Sequence, residues 1–546
     1  MPSNIVVSER IISKKPKIYI ESPDLIPEVM KSLGARKTQS GWYMPNLMCS
    51  IEALERTFPG QIQVTGDLQK RVDGVGFHIG PAPIGKLPPA TMKAALSWQI
   101  GGMDYLYSTP HKGALIGLSP GLGKTFTAIC AAYLMRLRKV LIVCPKNLIT
   151  NWHAEIRQWV GIEAEVAYRE GPPVSVFDPQ TIDWVVTNYN TPLDMFDEYA
   201  IKWDLIIIDE SILLQNRKSG RTKDMTKLAE LAKRVWLLSG FPTSKYNDRL
   251  YSQLNLIEPG AFSSYWRFAG TYCLINEGRW GTEILGNRPG IDIQKEFRDL
   301  MYIRNHSQTL PDLPKIIYQN IAVRLNDSQY KAYVDMSKKF IATWEEEEVQ
   351  VSNKLASLMK LQQITSNLQN LGEEWPDDSA KTDTLLQLFD AMEIPLPTVI
   401  WVHWKVTGQV IAKKLAARQA ELKPVHYTGN QAQMDKAISD FKEGRSQVLI
   451  MSPGAGKYGF TFTHAKSMVY HDKSWSVDDY VQSLARIDGR IGLQHSPLVI
   501  SLKCPNTTDD LIEKILRNKA ESIAKITSAD LTMLLGGLQN DHRRRA

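Results

Sequence analysis

Glycines, a lysine and a threonine stand at the spacing of a phosphate-binding loop in the segment LSPGLGKT, residues 118–125. The segment lies between the apolar run ALIGL and a helical pattern, the strand–loop–helix context that the pattern G-x-x-x-x-G-K-[ST] requires. Glycines let backbone N–H groups face phosphate oxygens, the lysine reaches the β- and γ-phosphates, and the threonine ligates Mg²⁺. Leu118 replaces the first glycine of the pattern, and a glycine-rich turn with a surface lysine is the alternative. The predicted site for ATP and Mg²⁺ comprises Pro120, Gly121, Leu122, Gly123, Lys124 and Thr125.

A second stretch, DLIIIDE at residues 204–210, is an apolar run that ends in two carboxylates. Strand ends in open α/β sheets face the ligand crevice, so both acids are expected near the phosphates. We expect Asp209 to hold Mg²⁺ together with Thr125, and Glu210 to orient or deprotonate the attacking water. The alternative is a strand-end turn that carries two solvated acids.

Short β-branched runs alternate with amphipathic helical stretches on both sides of these motifs, which predicts an α/β fold with parallel sheets. Residues 260–395 are predicted to be mostly helical, with loops at 276–290 and 371–381. The Pro- and Gly-rich residues 80–90 are typical of a linker. The predicted division is an accessory domain, a linker, a first α/β domain with a helical insertion, a second α/β domain and a C-terminal helix with a basic tail, at residues 1–79, 80–92, 93–315, 316–517 and 518–546.

The order of further motifs over about residues 93–517 resembles the Swi/Snf-type branch of superfamily-two helicases and translocases, nearest to its annealing helicases. The segments that carry the resemblance are SWQIGGMDYL, VLIVCPKNLITNWHAEIRQW, LLSGFPTSKYNDRLYSQL, MYIRNHSQTLPDLPK and SPGAGKYGFTFTHA, which begin at residues 97, 140, 237, 301 and 452. In that family the phosphate loop often lacks its first glycine. The resemblance implies two RecA-like parallel-sheet domains with ATP in the cleft between them.

The resemblance also implies roles for single residues. Gln99 matches the glutamine that reads adenine, and Gly459 lies in the glycine-rich motif that touches DNA and ATP. Ser239, Gly240 and Gln482 match positions that couple hydrolysis to domain movement. The implied nucleic-acid contacts are Pro145, Lys146, Asn147, Thr187, Asn188, Thr463 and Trp475.

Two motifs depart from the family pattern. The segment QSLARIDGRIG resembles Q-x-x-x-R-x-x-R, whose arginines stabilise charge that develops on the γ-phosphate. Arg486 follows Gln482 at the family spacing, whereas Arg490 stands one residue too far and reaches the phosphate only if the intervening turn absorbs that residue. A surface salt bridge is the alternative for both arginines. In the D-E-A-H block, Ser211 and Ile212 replace alanine and the histidine that is implied in domain coupling.

The stretch 16–58 has the pattern of a small α/β unit. At the level of pattern it resembles the accessory domain of annealing helicases and the DNA-binding domain of a phage recombination helicase. Its segment GWYMP is predicted to be a strand with exposed aromatics. Cations for phosphates and rings for stacking on a base would be supplied by Lys31, Arg36, Lys37, Trp42 and Tyr43. The alternative is an ordinary α/β unit with Trp42 in its core.

The composition fits a globular protein, with 43% apolar and 23% charged residues among 546. No stretch approaches the ~20 apolar residues that span a bilayer, and the N-terminus lacks the apolar region of a signal peptide. The five cysteines are far apart and predict neither a zinc site nor disulfides. A net charge of +7 is compatible with a polyanionic partner. The predicted location is the cytoplasm of a bacterial or phage-infected cell, or the nucleus in a eukaryote.

These motifs together predict a DNA-dependent ATPase that moves along DNA and remodels duplex or branched DNA in replication, recombination or repair. Fork regression, strand annealing and branch migration are the activities considered. The expected partner is DNA bound without sequence preference, and no membrane contact is expected. Alternatives are an RNA-dependent or single-strand unwinding helicase, an inactive clamp that binds ATP and DNA, and a P-loop ATPase of another class. The intact Lys124, Asp209 and Glu210 argue against the clamp.

Overall fold

A computed structural model describes most of the chain. The described residues are 5–12, 15–21, 27–33, 35–38, 41–45, 47–58, 61–65, 68, 81–167, 183–190, 202–243, 246–262, 264–278, 281–310, 314–345, 351–427, 431–452, 462, 464–487 and 495–527. The predicted site residues Gly459, Thr463 and Arg490 lie outside them. The chain divides into two compact units, Met1–Asn305 and His306–Ala546. The division falls inside the segment MYIRNHSQTLPDLPK, which the sequence analysis places between the two α/β domains.

The first unit begins with a small α/β domain. Its strands are β1 (Ile5–Ile12), β2 (Lys15–Glu21), β3 (Arg36–Lys37), β4 (Trp42–Pro45) and β5 (Ile62–Val64), and its helices are α1 (Pro27–Ser32) and α2 (Met48–Thr57). The sheet order is β3-β4-β2-β1-β5, antiparallel except for the parallel β1–β5 pair. The core of this domain is apolar and closes around the sheet face that carries Ile18, Ile20 and Met44.

The prediction that Trp42 is exposed for base stacking is wrong, because the side chain is 5% exposed and packs in this core. The register pairs Trp42 with Ile20 and Ile20 with Val7, so all three side chains share one face of the sheet. Tyr43 is paired with Arg36 and lies on the opposite face. The alternation of the strand therefore assigns the tryptophan to the core and leaves Arg36 exposed at the sheet edge.

The rest of the first unit is built on a seven-stranded parallel sheet of order β14-β6-β11-β10-β7-β9-β8. The strands are β6 (Gly113–Leu118), β7 (Val140–Cys144), β8 (Glu165–Ala167), β9 (Trp184–Asn188), β10 (Trp203–Asp209), β11 (Ala232–Leu238) and β14 (Met301–Arg304). The helices are α3 (Pro89–Ala94), α4 (Ser97–Ser108), α5 (Lys124–Leu134), α6 (Ile149–Val160), α7 (Gly220–Glu230), α8 (Tyr251–Ile257), α9 (Tyr265–Tyr272) and α10 (Ile293–Glu296). Every residue of β6, β7 and β9 is buried, as expected for strands covered on both faces.

The loop predicted at residues 276–290 is wrong, because a β-hairpin occupies most of it. Strands β12 (Cys273–Gly278) and β13 (Gly281–Asn287) pair antiparallel with a register shift after Leu274. Glycines and asparagines obscured the strand pattern, and few side chains of the hairpin are buried. Strands at 301–304 and 317–322 also interrupt the stretch that the sequence predicts to be mostly helical.

The second unit contains a six-stranded parallel sheet of order β15-β20-β19-β16-β18-β17. Its strands are β15 (Ile317–Ala322), β16 (Thr398–Trp401), β17 (Val425–His426), β18 (Val448–Met451), β19 (Ser467–Tyr470) and β20 (Leu498–Lys503). Its helices are α11 (His306–Thr309), α12 (Asp327–Glu345), α13 (Val351–Ser366), α14 (Ala380–Asp390), α15 (Lys405–Arg418), α16 (Gln431–Lys442), α17 (Val477–Leu484) and α18 (Thr508–Thr527). The predicted fold class, two RecA-like parallel-sheet domains with a small N-terminal α/β domain, is confirmed. Among the described residues, no helix combines the length and apolar character needed to cross a membrane.

Ion pairs attach the N-terminal domain to the first parallel-sheet domain. On α2, Arg56 pairs with the buried Glu296, and Glu52 lies 3.0 Å from Lys295 and 2.9 Å from Arg298. These contacts join the outer face of α2 to α10 and the turn after it. Glu296 is buried, so removal of Arg56 would leave its charge unpaired inside the protein, whereas the cationic partners of Glu52 are partly or largely exposed.

His111 continues this attachment toward the centre of the unit. The carboxylate of Asp299 accepts a hydrogen bond from the backbone N–H of Met48 at 2.9 Å and lies 3.4 Å from His111 Nε2. His111 Nδ1 lies 3.2 Å from Glu258. Burial lowers the pKa of His111, but hydrogen bonds and charge interactions with Asp299 and Glu258 outweigh it and raise that pKa to about 9. The histidine is therefore charged at neutral pH. It lies just before β6 and contacts Asp299, whose carboxylate also binds Met48 of the N-terminal domain.

Replacement of His111 by glutamine is expected to lower the thermal unfolding midpoint most at acidic pH. A pKa raised from 6.5 to about 9 stabilises the fold by about 3 kcal/mol below pH 6.5, and this contribution disappears as the pH rises through 9. Calorimetry of wild type and H111Q at pH 6 and pH 10 measures the difference. His153→Gln, a half-exposed histidine on α6, is the control. Equal destabilisation by H111Q at both pH values would contradict a charged His111.

Candidate active site

The phosphate loop connects β6 to α5 with two glycines in the left-handed region. Gly121 has φ 88° and Gly123 has φ 85°, values that other L-residues adopt with strain. A Cβ atom on Gly123 would lie 2.3 Å from Gln99 Nε2, so a side chain has no room there. Leu118 replaces the first glycine of the pattern without difficulty, because it is the last residue of β6 and its side chain is in the core.

Lys124 and Thr125 occupy the first turn of α5, and both side chains are partly exposed. The Lys124 ammonium donates a hydrogen bond to the carbonyl oxygen of Leu118 at 3.2 Å, so it lies over the loop. Backbone N–H groups at this helix start have no intrahelical acceptor and carry the positive end of the helix dipole. The geometry therefore suits an anion held by the loop and the lysine.

Gln99 lies against the phosphate loop from the first turn of α4. Its Nε2 donates to the carbonyl oxygen of Leu122 at 3.1 Å, and its Oε1 accepts from the backbone N–H of Leu96 at 3.0 Å. The indole of Trp98 donates to the same Leu122 oxygen at 3.1 Å. The structure thus shows Gln99 supporting the loop, and its predicted contact with adenine remains a prediction.

Asp209 and Glu210 end β10 at the same edge of the sheet as the phosphate loop. Asp209 is buried, and its carboxylate accepts hydrogen bonds from Trp152 Nε1 and from the backbone N–H of Glu210, both at 2.9 Å. Burial and the adjacent Glu210 carboxylate raise the pKa of Asp209 to about 6, and the Lys124 ammonium lowers it. Lys124 follows β6 and Asp209 ends β10, so the fold places the predicted phosphate and metal residues at the same edge of one parallel sheet.

Glu210 adopts a left-handed backbone conformation with φ 53° and ψ 50°. For a residue with a side chain this conformation costs about 1 kcal/mol, so neighbouring contacts must hold it. The short 3₁₀ helix Ser211–Leu214 begins directly after it. This turn changes the direction of the chain sharply at the end of the strand, so Glu210 does not continue the alternation of β10.

A hydrogen-bonded chain connects the D-E-S-I block to the LSGFP segment. Ser211 Oγ donates to Gln253 Oε1 at 2.8 Å, and Gln253 Nε2 donates to the carbonyl oxygen of Pro242 at 2.6 Å. Sequence reasoning missed Gln253, although an amide within the apolar helix YSQLNLI was a signal for it. Ser211, which stands where the family has alanine, therefore makes a hydrogen bond that an alanine could not make.

The predicted coupling residues Ser239 and Gly240 adjoin the phosphate loop. Ser239 is buried at the end of β11, and its hydroxyl donates to the carbonyl oxygen of Phe241 at 2.8 Å. A Cβ atom on Gly240 would lie 3.1 Å from Pro120 Cγ and 3.6 Å from Lys124 Nζ. The segment is thus close enough to respond to changes in the loop.

The predicted nucleic-acid contacts of the first unit converge at the carboxyl edge of the sheet. Thr187 and Asn188 pair with Val143 and Cys144, directly before the Pro145–Asn147 segment. Lys146 is exposed, whereas Thr187 is 1% exposed and Asn188 is also buried. Their side chains therefore offer little surface to a ligand in this conformation. Exposed groups that sequence reasoning did not select lie beside them, namely Asn190 and Arg221.

In the second unit, the structure places Trp475, Gln482 and Arg486 on and around α17. The Trp475 indole donates to Gln362 Oε1 at 2.8 Å, and Gln362 Nε2 donates to the carbonyl oxygen of Lys473 at 2.8 Å. Gln362, which sequence reasoning missed, therefore orients the tryptophan. Gln482 is partly exposed on α17, and Arg486 directly after it is 9% exposed with its backbone carbonyl accepting from Phe462.

Comparison with known families decides the class of the chain. The SNF2-related domain matches residues 98–370, half of the chain, and the helicase conserved C-terminal domain matches residues 380–492. The chain belongs to the SNF2-related family.

Two curated relatives are similar in sequence to this SNF2-related chain, at 23% identity each. The SWI/SNF-related matrix-associated actin-dependent regulator of chromatin subfamily A-like protein 1 of Xenopus tropicalis is 23% identical over 450 residues, 79% of this chain and 44% of the relative. The DNA annealing helicase and endonuclease ZRANB3 of Mus musculus is 23% identical over 418 residues, 73% of this chain and 38% of the relative. The chain thus spans less than half the length of these two relatives.

Two solved structures resemble the SNF2-related chain at low sequence identity. The Sulfolobus solfataricus SWI2/SNF2 ATPase core in complex with dsDNA is 19% identical with a TM-score of 0.38, covering 80% of this chain and 97% of that one. The S. cerevisiae Dbp5 bound to RNA and ADP BeF3 is 14% identical with a TM-score of 0.49, covering 83% and 98%.

The predicted Mg²⁺ ligands of this SNF2-related chain are Thr125 and Asp209. Over the ranges that the structure describes, no group of three His, Cys, Asp or Glu side chains could hold a metal. Mg²⁺ commonly binds one or two protein groups together with substrate phosphates and water. Asp209 fits this role, because its buried carboxylate beside Glu210 is unfavourable without a cation, and Thr125 lies on the loop that would hold the phosphates.

Proposed function

We propose that the chain is an ATP-dependent DNA translocase that remodels duplex or branched DNA in replication, recombination or repair. The observation that carries the proposal is that Lys124, at the start of the helix that follows β6, and Asp209, at the end of β10, lie at the carboxyl edge of one parallel sheet. A phosphate-binding lysine beside a metal-binding carboxylate is the arrangement that phosphoryl transfer requires. Membership of the SNF2-related family and the helicase C-terminal domain support the same reaction.

In the proposed reaction the first unit holds ATP and positions the attacking water. The loop N–H groups and Lys124 bind the β- and γ-phosphates; Thr125 and Asp209 would hold Mg²⁺, which would neutralise charge on the phosphate oxygens. Glu210 orients the water and accepts its proton. Arg486, with Arg490 as a second candidate, stabilises the transferred phosphoryl group, and Gly459 completes the nucleotide site.

The proposed nucleic-acid surface follows the carboxyl edge of the first sheet. Lys146, Asn190 and Arg221 are exposed there and suit contacts with backbone phosphates, which carry no sequence information. Trp475, held by Gln362, is the corresponding group of the second unit. The choice of DNA rests on the relatives, one of which is named a DNA annealing helicase.

The N-terminal domain is proposed to add a preference for branched DNA. Arg36 and Lys37 are exposed on the edge strand β3, with the Lys37 ammonium 5.9 Å from the centre of the Trp42 ring. The ion pairs of Glu52 and Arg56 hold this domain on the motor, so its basic edge has a fixed position. A basic edge in a fixed position can contact a second duplex arm while the first parallel-sheet domain holds the first arm.

Duplex or forked DNA is expected to raise steady-state ATP hydrolysis at least about tenfold over the rate without nucleic acid. Purified protein is assayed with no nucleic acid, duplex DNA, single-stranded DNA, forked DNA and RNA. The forked-DNA assay is repeated with Arg36→Glu/Lys37→Glu, which should remove a fork preference and retain the response to duplex. Stronger activation by RNA or single strands would favour the unwinding alternative, and bound ATP without hydrolysis would favour the clamp.

A further inference from the structure

We propose that Tyr189 is a positioning residue that transmits nucleic-acid binding at the end of β9 to the carboxylate of Glu210. The inference deepens the proposed function, because it names the route by which DNA would stimulate hydrolysis at that site. It rests on two contacts of one side chain. The Arg221 guanidinium of the proposed nucleic-acid surface lies over the ring of Tyr189, and the Tyr189 hydroxyl reaches the turn that carries Glu210.

The hydroxyl of Tyr189 bridges the ends of two strands that are not neighbours. Tyr189 directly follows β9, and β7 separates that strand from β10 in the sheet. The hydroxyl donates to the carbonyl oxygen of Asp209 and lies 3.5 Å from that of Glu210. Since these carbonyls belong to the two peptide groups that flank Glu210, the position of the hydroxyl limits both backbone rotations of that residue.

Glu210 needs such a constraint because its backbone is in the left-handed region, with φ 53°. Asp209 supplies one constraint through the hydrogen bond from the Glu210 N–H to its carboxylate. Tyr189 supplies the other, and it is 9% exposed, so water competes little for its hydroxyl. A shift of the tyrosine would therefore rotate the Glu210 peptide and redirect its carboxylate.

The ring of Tyr189 is buried beneath Arg221, a residue that is exposed on the proposed nucleic-acid surface. The Arg221 guanidinium lies 5.3 Å from the centre of the Tyr189 ring, and Arg221 itself is exposed at the start of α7. The next residue in the chain, Asn190, is exposed, and its N–H donates to Asn188 Oδ1 at 2.7 Å. A phosphate that attracts Arg221 or contacts Asn190 would shift these two residues, which lie next to Tyr189 in space and in the chain.

This arrangement explains how a buried strand end can take part in a response to DNA. Thr187 and Asn188 present almost no side-chain surface, so direct contact by them explains little. Tyr189 instead connects nucleic-acid binding at the surface to the backbone of the Glu210 turn through one side chain. All the residues of this route, from Arg221 to Glu210, lie within the first unit.

Tyr189→Phe tests the route, because it removes one oxygen atom and retains the ring beneath Arg221. The ratio of DNA-stimulated to DNA-free ATP turnover is expected to fall about tenfold, while the KM for ATP and the Kd for duplex DNA change less than about twofold. Tyr251→Phe is the matched control, since that hydroxyl also donates to a backbone carbonyl, of Phe262 at 3.3 Å. The control should leave the ratio unchanged.

A second variant separates the two ends of the route. Arg221→Gln leaves the Tyr189 hydroxyl in place and should raise the DNA concentration for half-maximal stimulation, with the maximal rate retained. An unchanged stimulation ratio in Y189F, or equal loss of the stimulated and DNA-free rates, would overturn the inference. A wild-type protein that no nucleic acid stimulates would instead refute the proposed function itself.

Discussion

Replacement of Lys124 by alanine is expected to abolish ATP turnover and leave DNA affinity within about twofold of wild type. The ammonium lies over the phosphate loop, 3.2 Å from the Leu118 carbonyl, and is the cation placed to bind the β- and γ-phosphates. Loss of one preorganised charged donor to a developing anion lowers turnover about 100- to 1,000-fold. Steady-state hydrolysis with saturating DNA and fluorescence anisotropy with labelled duplex measure the two quantities.

Lys112→Ala is the matched control for this experiment. Lys112 directly precedes β6, at the strand end opposite to Lys124, and it also donates to a backbone carbonyl, of Ala229 at 2.7 Å. The control removes a lysine and a hydrogen bond from the same strand without touching the phosphate loop, so turnover should persist. Retained turnover in Lys124→Ala would show that the phosphate-loop assignment is wrong.

The parts of the fold that sequence predicted are those that local patterns determine. The runs VLIVC and LIII are apolar at every position because both faces of the parallel sheet are covered, and both lie in the expected strands. The phosphate loop was predictable for a related reason, since left-handed Gly121 and Gly123 allow few replacements. At such positions the allowed residue types depend on the chemistry and backbone conformation of the segment itself.

Features that depend on partners far away in sequence were not predictable in the same way. Gln253, Gln362 and Tyr189 each join segments that the sequence separates, and an isolated amide or phenol does not reveal its partner. Trp42 shows the converse error, because four residues of strand did not reveal which face was buried. The β12–β13 hairpin was missed because Cys273 is the only buried residue of its two strands, so no continuous apolar face marks them.

The contacts of Gln253 bear on the replacement of the family histidine by Ile212. Ser211 passes a hydrogen bond to Gln253, which in turn holds the Pro242 carbonyl beside Gly240. Two blocks that the resemblance implies in coupling are thus joined inside the first unit without a histidine. Departures from a motif are therefore weak evidence for an inactive clamp when the structure supplies another connection.

Replacement of Glu210 by glutamine is expected to trap ATP with hydrolysis reduced at least about 100-fold. The amide keeps the shape of the side chain, and the contacts that fix this turn, from Tyr189 and Asp209, involve only the backbone of residue 210. What disappears is the charge that accepts a proton from water. Single-turnover hydrolysis and nucleotide-binding assays separate the lost chemical step from retained binding. Glu277→Gln, an exposed acid on the hairpin, is the control.

The same variant makes a second measurement possible, because Glu210 also affects its neighbour. Burial raises the pKa of Asp209 to about 6, and the Glu210 charge contributes to that increase. Without that charge the pKa of Asp209 should fall, so Asp209 stays ionised at lower pH and Mg²⁺-dependent ATP binding should persist to a lower pH than in wild type. Normal turnover in Glu210→Gln would move the catalytic role to another residue. An unchanged pH dependence of ATP binding would show that the charge of Glu210 does not affect the ionisation of Asp209.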